Sequence, residues 1–205
     1  MLHVMQFGAR PASDGVLRAM FAARKSVFVD LLQWDVPVID GTYEIDRFDD
    51  PHATYLVLAD REGRHLASAR LLPTTRPHIL DSFYTELCED GPPSGSDVYE
   101  ITRFCLDRGL TARERRAVRD TLVTALVEHA LAHGITAYTA IAEMPWFQQI
   151  LAFGWRCRPL GLPQVIETAT LVALRIEIDG DTPTQLAAAG IMPSIDVHAG
   201  ARAAA

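Results

Sequence analysis

The stretch "VYEITRFCLDRGLTARERRAVRDTLVTALVEHALAHGITAYTAI", residues 98–141, decides the fold because its periodicity changes twice. Val98 to Leu106 is rich in β-branched and aromatic residues and reads as a strand. From 112 to 132 the apolar residues Val118, Leu122, Ala125, Leu126, Ala130 and Leu131 return at helical spacing, while Arg115, Arg116, Arg119 and Glu128 are left to face water. Gly134 stops this helix and Ile135 to Ile141 reads as the next strand.

Working outward, Thr54–Ala59 and Leu66–Leu72 flank a turn containing Glu62 and Gly63, a pattern for an antiparallel hairpin. Pro73 and Pro77 end it, and Ile79–Leu87 is expected as a short helix. Asp14 can cap a helix over 16–31. Pro145–Phe153 reads as a helix with an early proline, Gly154 as its stop, and Trp155–Leu160 and Thr168–Ile178 as closing strands. The order predicts an α/β fold with a mixed, largely antiparallel central sheet flanked by helices. Neither a dinucleotide fingerprint nor a phosphate-binding loop is present.

The 205 residues are 49% apolar and 22% charged, which fits one soluble domain, expected over 1–180, with an Ala/Gly-rich tail over 181–205 expected to fray. No run approaches the roughly 18 apolar residues of a membrane span, and the N-terminus lacks a signal-peptide pattern, so a cytoplasmic location is expected. Three scattered cysteines make neither a zinc site nor a disulfide framework. The net charge of −7 argues against duplex nucleic acid as a partner.

That charge is uneven. Residues 34–51 have few apolar repeats and are expected as a long loop, a length that compact domains tolerate mainly for lids and binding loops. Glu44, Asp46 and Asp49 on this loop read either as a solvated acidic surface or as a partner for an ammonium or sulfonium ligand. No calcium-loop spacing accompanies them, and no metal is expected. Arg24 and Phe28, four apart on one helix, can reach the same place, with Trp34 adding a second ring for cation–π contact. Arg24, Arg70 or Arg103 can bind a substrate carboxylate in two parallel hydrogen bonds.

On the strand at 98–106, Glu100, Thr102 and Phe104 face one way and Ile101 and Arg103 the other. Glu100 and Arg103 can therefore reach one ligand only near a bulge, a splayed sheet or a strand end. Glu100 reads either as half of a buried ion pair or as a general base acting through water. Arg108, Arg113, Arg115, Arg116 and Arg119 either solvate the long helix or receive an anionic carrier, helped by unpaired amides at the helix end.

Taken together, Arg24, Phe28 and Trp34 in "RKSVFVDLLQWDVPV", Glu44, Asp46 and Asp49 in "YEIDRFDD", Arg70 in "ASARLLPT" and Glu100 with Arg103 in "YEITRF" resemble the acyl-homoserine-lactone synthases, the bacterial autoinducer synthases. The resemblance extends through "FGWRCRPLG" and covers roughly residues 5–178. It implies a fold related to acyl-CoA N-acyltransferases. It also implies a reaction in which S-adenosyl-L-methionine, a consumed substrate rather than a cofactor, is acylated on its amine by an acyl carrier protein or acyl-CoA thioester. Lactone closure then releases methylthioadenosine.

On this resemblance Arg24, Phe28 and Trp34 cover the adenosylmethionine site. Asp46 and Asp49, with Glu44, orient that cover and the substrate. Arg70 and Arg103 pair with them or with the substrate carboxylate. Glu100 is the base, and backbone amides beside 104–106 polarise the thioester carbonyl. Thr102 and Phe104 are candidates for substrate contacts, and Leu106, Ala140, Ala142, Phe147, Ile150 and Phe153 read either as lining of the acyl cavity or, for at least half of them, as ordinary core. Tyr99 and Thr102 replace the tryptophan and serine common in the family, and "EMPWFQQILAFGW" departs from the usual start of its helix. The readings kept beside this one are an N-acyltransferase that stops at the amide and an inactive adenosylmethionine sensor.

Overall fold

Leu2–Gln6, which the sequence reading passes over, form the first strand, β1, paired antiparallel to β4 (Thr54–Ala59) from Leu2 opposite Leu58 to Gln6 opposite Thr54. The computed structural model describes residues 1–6 and 14–193. β1 is short, and its outward residues Leu2 and Val4 are exposed, so it carries little of the alternation that marks a half-buried strand.

The remaining elements follow the expected order with local additions. Helix α1 (Asp14–Arg24) begins at Asp14 itself and runs into a π-helical segment, Lys25–Leu31, so the expected single helix is wound two ways. The expected loop at 34–51 contains a small hairpin, β2 (Val38–Ile39) and β3 (Tyr43–Glu44). β5 (His65–Pro73), α2 (Ile79–Phe83), a 3₁₀ turn at Thr85–Leu87, β6 (Val98–Leu106) and α3 (Ala112–His133) fall where the periodicity placed them. β7 (Ala137–Glu143), α4 (Met144–Leu151), β8 (Arg156–Pro159), β9 (Gln164–Ile166), β10 (Ala169–Glu177) and α5 (Thr182–Ala188) complete the chain.

The strands hydrogen-bond in the order β1-β4-β5-β6-β7-β10-β8, with β9 also on β10. β6 and β7 run parallel, while β7–β10, β10–β8 and β10–β9 are antiparallel. A parallel pair requires a crossover, and α3 supplies it. The sheet is thus mixed and largely antiparallel, as expected.

The chain forms two compact units, one from Met1–Arg70 with Arg103–Val123 and one from Leu71–Thr102 with Thr124–Met192. In the first, β4 is buried from Tyr55 through Ala59, so it reads as a continuous apolar run instead of an alternation. In the second, registered pairs assign the faces: Val172, Leu174 and Ile176 of β10 stand opposite Ala142, Ala140 and Tyr138 of β7. That face meets α3, where the Tyr138 hydroxyl donates to the Leu126 carbonyl at 2.9 Å. The other face carries Leu171, Ala173 and Ile141 and packs on Leu80, Leu87 and Cys88.

The expected fraying from residue 181 is corrected over 182–193. α5 buries Thr182 and Leu186, and Ile191 is buried beyond it, because an apolar spacing of five residues closes over the unit despite the alanine-rich composition. Residues 194–205 lie outside the described part. Gly154, at φ +90°, lies against α5: a Cβ there would sit 2.7 Å from the Ala189 Cβ and 2.8 Å from the Gln185 carbonyl oxygen. Gly154→Ala is therefore expected to lower the unfolding free energy by about 2 kcal/mol or more, from left-handed strain plus overpacking. Urea unfolding measures it; a loss under about 0.5 kcal/mol would mean that α5 does not close on Gly154.

Candidate functional site

The first unit builds its site from a turn that the sequence does announce. Asp40 and Gly41 are both left-handed, at φ 51° and 62°, and Thr42 N–H donates to the Ile39 carbonyl at 3.0 Å. Two such residues in succession give a turn whose hand matches strand twist, and Asp-Gly is among its strongest signals. The resulting β2–β3 hairpin delivers Glu44 to the interior, where it is 0% exposed.

Arg24, at the last position of α1 and 1% exposed, donates from Nε to Glu44 and from Nη1 and Nη2 to the two oxygens of Asp49 at 2.8 and 2.9 Å. Asp49 also accepts the Tyr55 hydroxyl at 2.8 Å and the Asp46 N–H at 2.8 Å. From β5, Arg70 grips Asp46 through Nη1 and Nη2 at 2.6 and 3.0 Å and brings Nη1 to 2.8 Å from Asp49. From β6, Arg103 donates Nε and Nη2 to Glu44 at 3.1 and 3.0 Å and Nη2 to Asp46 at 2.8 Å.

Three guanidinium groups thus face three carboxylates, and their formal charges cancel. The acidic loop is not a solvated surface at these positions, nor is it an unbalanced negative wall awaiting a cation. Burying a charge is costly unless it is paired, and this network pairs every one. Burial pushes the Asp46 and Asp49 carboxyls upward, but Arg70 and Arg103 at Asp46, and Arg24 and Arg70 at Asp49, outweigh it and hold both below the usual carboxylate range. Burial and then Asp49 push the Tyr55 hydroxyl well up, so it stays a donor. For Arg24, burial is outweighed by Asp49 and Glu44, which hold it protonated.

Aromatic rings flank the network. Trp34 is brought back over Phe28 by the turn that ends the π-helical segment, where its N–H donates to the Phe28 carbonyl at 2.8 Å. The two rings stack at 4.8 Å between centroids and 16° between planes. Arg103 stands 5.6 Å from the Phe28 centroid and 5.7 Å from that of Trp34. Phe28 is buried, whereas Trp34 keeps 39% of its surface. Sequence reasoning missed Tyr55, inside an apolar strand, and Phe48, whose ring lies 6.0 Å below the Arg70 guanidinium carbon.

β6 carries the irregularity its sequence demanded. Arg103 has φ 50°, rare for a non-glycine residue within a strand. Asp107 N–H donates to the Leu66 carbonyl and Thr74 N–H to the Val98 carbonyl, so β5 advances 74 − 66 = 8 residues while β6 advances 107 − 98 = 9. One extra residue on β6 is a β-bulge, and it breaks the alternation at Arg103. Glu100 is fully buried in the second unit, where its oxygens accept the N–H groups of Ile79 at 2.8 Å and Leu80 at 3.1 Å. It thereby caps the start of α2, a duty the sequence reading did not assign to it.

The other candidates divide. Thr102 is buried, and Phe104 and Leu106 are half-buried on β6. Ala140, Ala142, Phe147, Ile150 and Phe153 are buried in the second unit, with the Phe153 ring edge-on to Trp146 and Trp155. The arginines do not form one open patch. Arg119 pairs with Asp120, Arg115 donates to the Asp107 carbonyl, and Arg108 donates to Ser26. The amides expected to be unpaired at the helix end are partly taken up: Thr111 and Glu114 form a capping box, with Thr111 N–H on the Glu114 carboxylate at 2.8 Å. Arg113 and Arg116 remain exposed. No cluster of three or more metal-ligating side chains occurs among the described residues. None of their helices is long and apolar enough to cross a membrane.

With this geometry in place, comparison with known proteins is specific. The autoinducer synthase family profile matches residues 10–186. An acyl-homoserine-lactone synthase of Ralstonia solanacearum is 34% identical over 178 residues, covering 82% of this chain and 85% of the relative. An isovaleryl-homoserine lactone synthase of Bradyrhizobium diazoefficiens is 31% identical, covering 98% of this chain and 91% of the relative. The solved CoA-dependent acyl-homoserine lactone synthase BjaI, with SAM and isopentyl-CoA, superposes with a TM-score of 0.82 at 30% identity, covering 95% of this chain and 91% of that one.

The buried charges make stability depend on pH in two windows. Buried His65 is pushed down to about 4 from 6.5, so only the unfolded chain takes up its proton between those values, and stability falls by up to about 3 kcal/mol as the pH drops through them. Asp46 and Asp49 are more acidic folded than unfolded, so their contribution is complete above about pH 4 to 5 and is lost progressively below. Urea unfolding from pH 7 to pH 2.5 should show both losses. His65→Gln should flatten the upper one only, and a stability that rises on acidification would contradict both assignments.

Proposed function

The chain belongs to the autoinducer synthase family, and we propose that its buried arginine–carboxylate network serves the synthesis of an N-acyl-L-homoserine lactone. The amine of S-adenosyl-L-methionine attacks an acyl thioester to form an amide. The methionine carboxylate then attacks the carbon beside sulfur, closing the lactone and expelling methylthioadenosine. The observation that carries this reading is the likeness, over nearly the whole chain, to a synthase solved with both SAM and an acyl-CoA.

The residues divide the work according to which of their atoms are committed. Arg24 spends Nε, Nη1 and Nη2 on Glu44 and Asp49, so it fixes α1 and the loop to each other instead of reading a substrate. Arg103 spends Nε and Nη2 on Glu44 and Asp46, which leaves Nη1 for the substrate carboxylate. The exposed face of Trp34, already stacked on Phe28, suits the sulfonium or the adenine ring. Asp46, Asp49 and Arg70 hold Arg103 and the loop in that geometry. The network's role is therefore preorganisation, with the binding surface fixed before the ligand arrives.

Glu100 is assigned the amine proton, passed through a water, and the amides beside residues 104–106 the developing negative charge on the thioester oxygen. Ala140, Ala142, Phe147 and Phe153 are assigned to the acyl chain. Ala142 and Ala140 stand in register with Val172 and Leu174, and side chains this small suit a neighbouring acyl chain. Each buried methylene of the acyl chain contributes about 0.8 kcal/mol to that choice. The reaction is placed in the cytoplasm, where acyl thioesters are made.

Purified protein offered S-adenosyl-L-methionine and a panel of acyl-CoAs and acyl carrier proteins should release methylthioadenosine and an acylated lactone in equal amounts, read by mass spectrometry. An acylated product without lactone closure would favour a simple N-acyltransferase; tight adenosylmethionine binding with no product would favour a sensor. The donor is tested separately. Arg113→Glu with Arg116→Glu should raise KM several-fold for an acidic carrier protein at low salt and leave acyl-CoA turnover within about twofold. Equal effects on both donors would remove these two residues from carrier docking.

A further inference from the structure

The stacked pair of Phe28 and Trp34 depends on a segment whose winding is unusual. Phe28 lies in the π-helical stretch Lys25–Leu31, and such turns are rare and frequent at functional sites. The exit is unusual as well: Gln33 is left-handed at φ 58° without being glycine or asparagine. Its backbone N–H donates to the Val29 carbonyl at 3.2 Å, and its side-chain amide donates to the Val29 and Asp30 carbonyls at 3.1 and 2.9 Å. Lys25 pairs with Asp30. All of these bonds run within residues 25–34, so they fix the shape of the segment and leave its place over Arg103 to other contacts.

One of those contacts comes from Arg108, just beyond the end of β6. Its Nη1 donates to the Ser26 carbonyl at 3.1 Å and lies 3.4 Å from the Ser26 hydroxyl oxygen. A carbonyl oxygen has two lone pairs, so it can serve the helix and the guanidinium together. The arm that presents Arg108 is itself held. Asp107 donates its N–H to the Leu66 carbonyl at 2.9 Å, accepts the Gly109 N–H on its carboxylate at 2.7 Å, and accepts Arg115 on its carbonyl at 3.2 Å. The chain of β6 therefore meets the ring-bearing segment twice: Arg103 stands 5.6 and 5.7 Å from the two ring centroids, and Arg108 holds the carbonyl of Ser26, close before Phe28.

An exposed arginine at the start of a basic stretch reads first as a docking charge for an anionic donor, but this one is spent on a neutral backbone atom beside the rings. Resting on the reaction proposed above, we propose that Arg108 is a positioning residue for S-adenosyl-L-methionine. By gripping Ser26 it keeps the Phe28 and Trp34 stack in place over Arg103, so that the exposed face of Trp34 is ready before the ligand arrives. Without that grip the segment spends part of its time elsewhere, and the apparent affinity falls in proportion to the time lost. Chemistry on the bound substrate is untouched, because Arg108 bonds to Ser26 and to none of the groups assigned to that chemistry.

Calorimetric titration of adenosylmethionine into the donor-free protein tests this. Arg108→Ala should raise Kd about fivefold to tenfold, the loss expected for one exposed hydrogen bond. Arg108→Lys, which can still donate to the Ser26 carbonyl, should recover part of it. In steady state with the acyl donor identified by the panel above, KM for adenosylmethionine should rise by the same factor in Arg108→Ala, while kcat and KM for the donor stay within about twofold. The melting temperature should change little. In a Trp34→Ala background the further loss from Arg108→Ala should be less than about twofold, because the stack through which Arg108 acts is gone. A raised donor KM with an unchanged Kd would return Arg108 to donor docking and overturn the proposal. So would losses that simply add in the Trp34→Ala background, or a fall in kcat that tracks a lowered melting temperature. A wild-type protein that does not bind adenosylmethionine would overturn the underlying reaction together with this step; a wild type that binds it, with Arg108→Ala binding equally well, would overturn this step alone.

Discussion

Six buried or half-buried charges that cancel one another organise the first unit. Arg24, Arg70 and Arg103 come from a helix end and two strands; Glu44, Asp46 and Asp49 come from one short loop. None of the six would be stable inside without the others, since removing one partner of a buried pair typically costs about 3–5 kcal/mol. A buried ion network contributes little net stability compared with apolar packing of the same volume. What it supplies is specificity, because guanidinium and carboxylate forks accept few relative orientations. The loop at 34–50 is thereby fixed in one arrangement mainly by charges, with Phe48 as its buried apolar side chain.

The second organising feature is the extra residue on β6. Regular alternation would assign Glu100 and Arg103 to opposite faces for good. Because Arg103 adopts a left-handed conformation, the strand changes phase there, and the two residues serve different units: Glu100 holds α2, and Arg103 completes the ion network. The strain of a non-glycine residue at positive φ is sustained by the two carboxylates and two rings that grip its side chain.

Within the second unit the design is different. Tyr138, Ala140 and Ala142 face one way and Thr139 and Ile141 the other, so β7 serves two layers with opposite demands. On the first layer the Tyr138 hydroxyl is satisfied by the Leu126 carbonyl of α3. The other combines apolar packing with Glu100 and Thr139. Glu100 is accommodated on that layer because its oxygens accept the Ile79 and Leu80 N–H groups.

The sequence by itself determined the long helix, the strands on either side of it, the hairpin at 54–72 and the identity of the charged residues, since periodicity and residue type are local properties. It also contained the Asp40-Gly41 signal for the small hairpin, though that was outweighed by the polar composition of the stretch around it. What only the tertiary structure decided was pairing. Glu44 meets Arg24 across 20 residues and Arg103 across 59, and no spacing rule announces either contact. Whether the carboxylates formed a negative wall or a neutral network, whether Glu100 was uncommitted or capping a helix, and whether residues 182–193 frayed or closed over a core all turned on contacts between segments distant in sequence. Charge is written residue by residue, but its compensation exists only in three dimensions.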